Sequence, residues 1–137
     1  MHIAARGSRL SSEWMNARIP PALYSVDLAG CTDFVHRAPE EMLDIFSSAL
    51  QRAGATVVKR LAHSFPETGL TCVLILSESH AVLHTWPETG TVNIDIFSCS
   101  TRLRSLDAID ELRRSFGAQQ ITVQEIPRAD GRDPRDC

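Results

Sequence analysis

Residues 77–100 read SESHAVLHTWPETGTVNIDIFSCS, and their periodicity decides what kind of layer this chain builds. Residues 81–84 make a short strand, Pro87 and Gly90 break it, and residues 91–99 then alternate. In that second run Val92, Ile94 and Ile96 share one face, while Asn93, Asp95, Phe97 and Cys99 share the other, more polar one. A period of two marks a strand that buries one side only.

Upstream, residues 56–61 and 71–77 are rich in β-branched side chains and are separated by Phe65, Pro66 and Gly69, so they read as two strands joined by a loop. Before them Pro39 stands at a helix N1 position, and Glu40 and Glu41 suit the positive end of a helix dipole. Met42, Ile45, Phe46, Leu50 and Ala53 recur at helical spacing before Gly54. Residues 23–28 form a first strand stopped by Gly30, Thr32 and Asp33. Downstream, Leu103, Leu106, Ile109, Leu112 and Phe116 give a second amphipathic helix ended by Gly117, and residues 121–126 supply a last strand. The order implies an α+β fold, a two-layer sandwich in which an antiparallel or mixed sheet carries both helices on one face. One domain is expected over residues 22–127, with a mobile extension over 1–21 and a disordered tail over 128–137; Met15 is a second possible start.

At 137 residues, 43% apolar and 23% charged, the chain suits one domain with a modest core, which pairing with a second copy would relieve. A net charge of −3 gives no basic excess with which to hold nucleic acid. The longest apolar stretch, residues 72–76, is too short to span a bilayer and no secretory signal opens the chain, so a cytosolic protein is expected. Cys31, Cys72, Cys99 and Cys137 show no CxxC spacing, and in the cytosol such thiols are expected to stay free. Cys72, inside an apolar run, reads as core, and Cys137 as an exposed tail thiol. His80 and His84 are four apart, but Pro87 and the β-branched neighbours oppose the helix that would make them a zinc pair; no metal is expected.

The pattern ESH followed by HTWPE, Glu78–Ser79–His80 and then His84 to Glu88, resembles the prokaryotic S-adenosylmethionine decarboxylase proenzymes, and the likeness runs loosely from Tyr24 to Ile126. The resemblance implies autocatalytic cleavage between Glu78 and Ser79 into chains 1–78 and 79–137. A weak serine nucleophile must be activated to exchange the amide for an ester. His84 then removes the Ser79 α-proton, elimination expels the Glu78 carboxylate, and hydrolysis leaves a pyruvoyl group and ammonia. That group forms a Schiff base with the substrate amine and serves as the electron sink when carbon dioxide leaves.

The resemblance further makes Cys99 the proton donor, a role open to a thiol that is mostly protonated at neutral pH. It makes Phe65 the ring that stacks on adenine and Glu88 the carboxylate for the ribose hydroxyls. It also implies a homodimer with the site near the subunit interface, and a product used in spermidine synthesis. Where the family has a processing serine this chain has Thr71, which keeps the hydroxyl and adds a rotamer-restricting methyl. Thr89 and Thr91 replace aromatics, Ser100 replaces a glycine, and Pro21 and Leu23 stand near a missing glycine and histidine. With only eight aromatic residues for a cationic, adenine-bearing substrate, pyruvoyl-dependent ornithine or arginine decarboxylation is the alternative chemistry. An unprocessed regulatory homologue and a module that binds adenosyl compounds without turnover are the non-catalytic alternatives. Trp86, in a short strand, reads as an ordinary packing group.

Overall fold

A computed structural model describes residues 21–33, 37–99 and 102–129. The elements are β1 (Ala22–Ala29), α1 (Pro39–Arg52), β2 (Val57–Ser64), β3 (Leu70–Leu76), β4 (His80–Trp86), β5 (Thr91–Ser98), α2 (Ser105–Ser115) and β6 (Gln120–Pro127). The extension and tail expected at the two ends lie mostly outside the described residues.

Strand order is β2-β3-β4-β5-β1-β6, and every neighbouring pair is antiparallel. The β2–β3–β4–β5 part is a meander, whereas β1 inserts between β5 and β6 through long-range pairing. Its register sets Leu28 opposite Val92 on one side and Ile121 on the other.

Alternation along the strands sends one set of side chains to the helices. Val26, Leu74, Leu83, Ile94 and Val123 are fully or almost fully buried against Phe46 and Leu50 of α1 and Ile109 and Leu112 of α2. This apolar burial between two layers is the main source of stability. The first turn of α1 has Pro39 at N1 and a Glu41 carboxylate that accepts the Ala38 N–H at 3.3 Å, which satisfies one of the donors a helix start leaves open. The helix ends before Gly54, whose φ of +107° is left-handed; a Cβ there would collide with the Arg102 carbonyl oxygen.

β2 extends to Ser64, three residues beyond its apolar sequence signal, because Ala62, His63 and Ser64 pair with Cys72, Thr71 and Leu70. Partner strands hold what local propensity does not mark. Arg60 adds a clamp on this edge strand, reaching Asp44 at 2.7 Å and Glu40 at 3.1 Å on α1.

The opposite face of the sheet carries no covering element among the described residues. Leu61 (62% exposed), Ile75 (45%) and Ile126 (40%) stand on it, with Val73, Val82, Phe97 and Leu23 half-buried beside them. Across it also runs a row of polar residues in register on all six strands: His63, Thr71, His84, Asn93, Asp27 and Thr122. No described helix is long and apolar enough to cross a membrane.

Candidate active site

Glu78 and Ser79 occupy the tight connection between β3 and β4. The Ser79 carbonyl accepts the Leu76 N–H at 2.9 Å, and the Ser77 N–H reaches Thr56 at 3.1 Å, so the turn is held from both sides. Antiparallel pairing sets His80 opposite Phe97, which brings the residue before β4 beside the residues after β5. There the Cys99 N–H donates to the Ser79 Oγ at 3.0 Å. Glu78 is exposed and Ser79 half-buried. A cleft of about 350 Å³ lies beside the Glu78–Ser79 bond, lined by Thr56, Leu76, Ser77, Glu78, Arg102 and Leu103 among others.

Cys99 differs from the sequence reading in two respects. β5 stops at Ser98, so the alternation that would set Cys99 on the polar face ends one residue early, and the side chain is buried (6% exposed). Its sulfur is disulfide-bonded, against the expectation that all four thiols stay free; Cys31 and Cys72 are free and buried. Chemistry by a Cys99 thiol therefore needs the reduced protein. Burial pushes the Cys31 and Cys72 thiols up to about 11, which keeps them protonated and unreactive at neutral pH.

A second group of residues gathers further along the uncovered face. Thr71 on β3 and His84 on β4 are directly opposed, and the Thr71 Oγ1 and His84 Nδ1 share a hydrogen bond of 2.8 Å. Phe65, just past β2, sets its ring 5.5 Å from the His84 imidazole, and His63 sits 5.0 Å from Phe65. Trp86 packs edge-on to His84 at 4.5 Å. It is 44% exposed on this face rather than part of the core, which corrects its reading as an ordinary packing group. The physical reason is parity: Trp86 lies two residues from His84 on one strand, and both point away from the helices. Glu88 is exposed in the turn between β4 and β5.

The two groups are therefore separate within one chain. Ser79 and His84 are five residues apart along an extended strand, which places their backbones about 16 Å apart. His80 and His84 on the same strand are likewise too far apart to share a metal. Among the described residues no three His, Cys, Asp or Glu side chains form a metal-holding group.

Sequence reasoning missed Asn93 and Asp27 as members of the second group. The Trp86 indole N–H donates to the Asn93 Oδ1 at 2.6 Å, and the Asn93 amide donates to the Asp27 Oδ1 at 2.7 Å. The available signal was the place of Asn93 on the more polar face of the alternating run 91–99.

A family model described as S-adenosylmethionine decarboxylase matches residues 22–129. An S-adenosylmethionine decarboxylase proenzyme of Pelotomaculum thermopropionicum is 33% identical over 102 residues, which covers 74% of this chain and 81% of the relative. One from Acidithiobacillus ferrooxidans is 36% identical over 85 residues, covering 62% of this chain and 64% of that one. Among solved structures, the adenosylmethionine decarboxylase of Aquifex aeolicus superposes with a TM-score of 0.74 over 85% of this chain and 97% of its own, at 23% identity, a likeness of fold. The match over the whole α+β layer and the identity to these proenzymes lead to one conclusion: the chain belongs to the S-adenosylmethionine decarboxylase family.

Proposed function

We propose that this protein cleaves itself between Glu78 and Ser79, carries a pyruvoyl group made from Ser79, and decarboxylates S-adenosylmethionine to supply polyamine synthesis in the cytosol. The observation that carries the reading is the Cys99 N–H held 3.0 Å from the Ser79 Oγ in an exposed turn of a chain of this family. That turn suits a backbone cut. β3 and β4 each stay paired on both sides when the Glu78–Ser79 bond opens, so fragments 1–78 and 79–137 remain one folded body. The Cys99 amide orients the hydroxyl, and a half-buried position lets Ser79 meet a substrate after cleavage.

The pyruvoyl group supplies the electron sink for loss of carbon dioxide. His84 serves as the processing base. In the tautomer whose Nδ1–H donates to the Thr71 oxygen, Nε2 is left as the acceptor a base requires. Cys99, reduced, returns a proton to the substrate carbon. Phe65, exposed beside His84, offers its face to adenine, and Glu88 offers a carboxylate to the ribose hydroxyls.

The distance of about 16 Å between Ser79 and His84 along β4 bears on how these parts meet. Two copies packed by their uncovered apolar faces would bury Leu61, Ile75 and Phe97 and could bring His84 of one chain to Ser79 of the other. The reading is therefore a homodimer with composite sites. Co-expressing Ser79→Ala and His84→Ala chains tests it by intact-mass analysis. Cleavage of the His84→Ala chain only when its Ser79→Ala partner is present is expected; cleavage of His84→Ala alone overturns the role of His84. Mature protein is expected to release carbon dioxide from S-adenosylmethionine, and release from ornithine or arginine alone overturns the substrate.

A further inference from the structure

The polar row on the uncovered face contains a hydrogen-bonded chain that the self-cleavage chemistry does not use directly. Asp27 on β1 accepts from the Asn93 amide at 2.7 Å, and the Asn93 carbonyl oxygen accepts from the Trp86 indole at 2.6 Å. Asn93 lies directly opposite both Asp27 and His84, and Trp86 is its diagonal neighbour on β4. The Asn93 amide is thus used at both ends, one to a carboxylate and one to an indole, which fixes its own flip. The Trp86 ring so held lies edge-on to His84 at 4.5 Å, and the same imidazole meets Thr71 through its Nδ1 and Phe65 at 5.5 Å.

We propose that Asn93 is a positioning residue: anchored by Asp27, it locks the Trp86 indole against His84 and so confines the imidazole to the orientation in which it works. The inference rests on the reading of His84 as the processing base. Asn93 acts through Trp86, and the two substitutions therefore share one effect. An exposed Trp on a flat sheet face has several rotamers, and a hydrogen bond from its one polar atom selects among them. Loss of that selection leaves His84 held by the Thr71 hydrogen bond and the edge contact with Phe65, with the Trp86 side of the ring unconfined.

The test follows self-cleavage of freshly refolded protein by denaturing mass analysis for Asn93→Ala, Trp86→Phe and the double variant, with thermal melting beside it. Trp86→Phe keeps an aromatic ring while removing the indole N–H donor together with the pyrrole ring that carries it, so it serves where Asn93→Ala folds poorly. Each single variant is expected to cleave about three- to tenfold more slowly, and the double variant no more slowly than either. In a Trp14→Phe background, where Trp86 is the one indole left, Asn93→Ala is expected to shift its emission toward that of solvated tryptophan. Native cleavage rates in Trp86→Phe, or losses that multiply in the double variant, overturn the proposal. His84→Ala distinguishes the two levels: if it matures normally the base reading fails, and if it stalls while Asn93→Ala and Trp86→Phe mature normally only the present inference fails.

Discussion

Thr71→Val is a substitution of nearly constant shape that removes one hydroxyl, and its consequence can be worked from the structure. The side chain sits half-buried on β3, where either residue suits a strand, so the fold is preserved. What disappears is the 2.8 Å hydrogen bond to the His84 Nδ1. His84 is also half-buried, so water can reach the vacated nitrogen, and the loss stays near that of one exchanged hydrogen bond, about 1 kcal/mol, rather than that of a buried orphan. If the bond is needed in the step where His84 takes the Ser79 proton, cleavage slows by about fivefold. Thr71→Ser, which keeps the hydroxyl and gives up only rotamer restriction, is expected within about twofold of the native rate. The assay is the fraction of full-length chain against time by denaturing mass analysis. A Thr71→Val protein that matures at the native rate refutes the reasoning, and a Thr71→Ser protein as slow as Thr71→Val shows that the methyl group matters as much as the hydroxyl.

Cys99→Ala is expected to mature, because its backbone N–H still reaches Ser79, yet to decarboxylate poorly; turnover equal to that of the native enzyme removes the thiol from the mechanism. For the same reason native turnover should require a thiol reductant, and equal activity in oxidised and reduced samples contradicts a role for free Cys99. Gly54→Ala should lower the melting temperature through left-handed backbone strain and collision with the Arg102 carbonyl, at a cost of about 1–3 kcal/mol, read by thermal unfolding. Burial raises Cys72 from its ordinary 9.0 to about 11, so the folded state holds that proton more tightly than the unfolded chain. Its contribution is full below pH 9 and is lost as pH rises toward 11, so stability measured by denaturant titration should fall across that window, less steeply in Cys72→Ala.

Much of the fold was legible in the chain. The period of two in residues 91–99 and the 3.6-residue recurrence from Met42 to Leu50 marked β5 and α1 because burial on one side imposes those spacings. Edge strand β2 was read short, since its last residues are held by β3 and by Arg60's reach to α1, which no local pattern records. The site was legible unevenly. Ser79, His84 and Cys99 stood out through the family pattern, and Thr71 by its offset from Ser79. Asn93, Asp27 and the true setting of Trp86 did not, because they meet only through pairing between β1, β5 and β4.

The sequence by itself determined the succession of elements, the inward set of apolar side chains, the self-cleavage motif and the family. These depend on neighbours within a few turns or residues, where sterics and periodic burial act locally. Tertiary structure alone decided that β1 lies between β5 and β6, that Cys99 is drawn under Ser79 by the adjacent ends of β4 and β5, and that Thr71, His84, Asn93 and Asp27 form one row. It also decided that Ser79 and His84, close in sequence, stand far apart in space. An extended strand carries each residue about 3.3 Å from the last, so proximity along the chain becomes distance along the sheet, while contact is made sideways between strands remote in sequence.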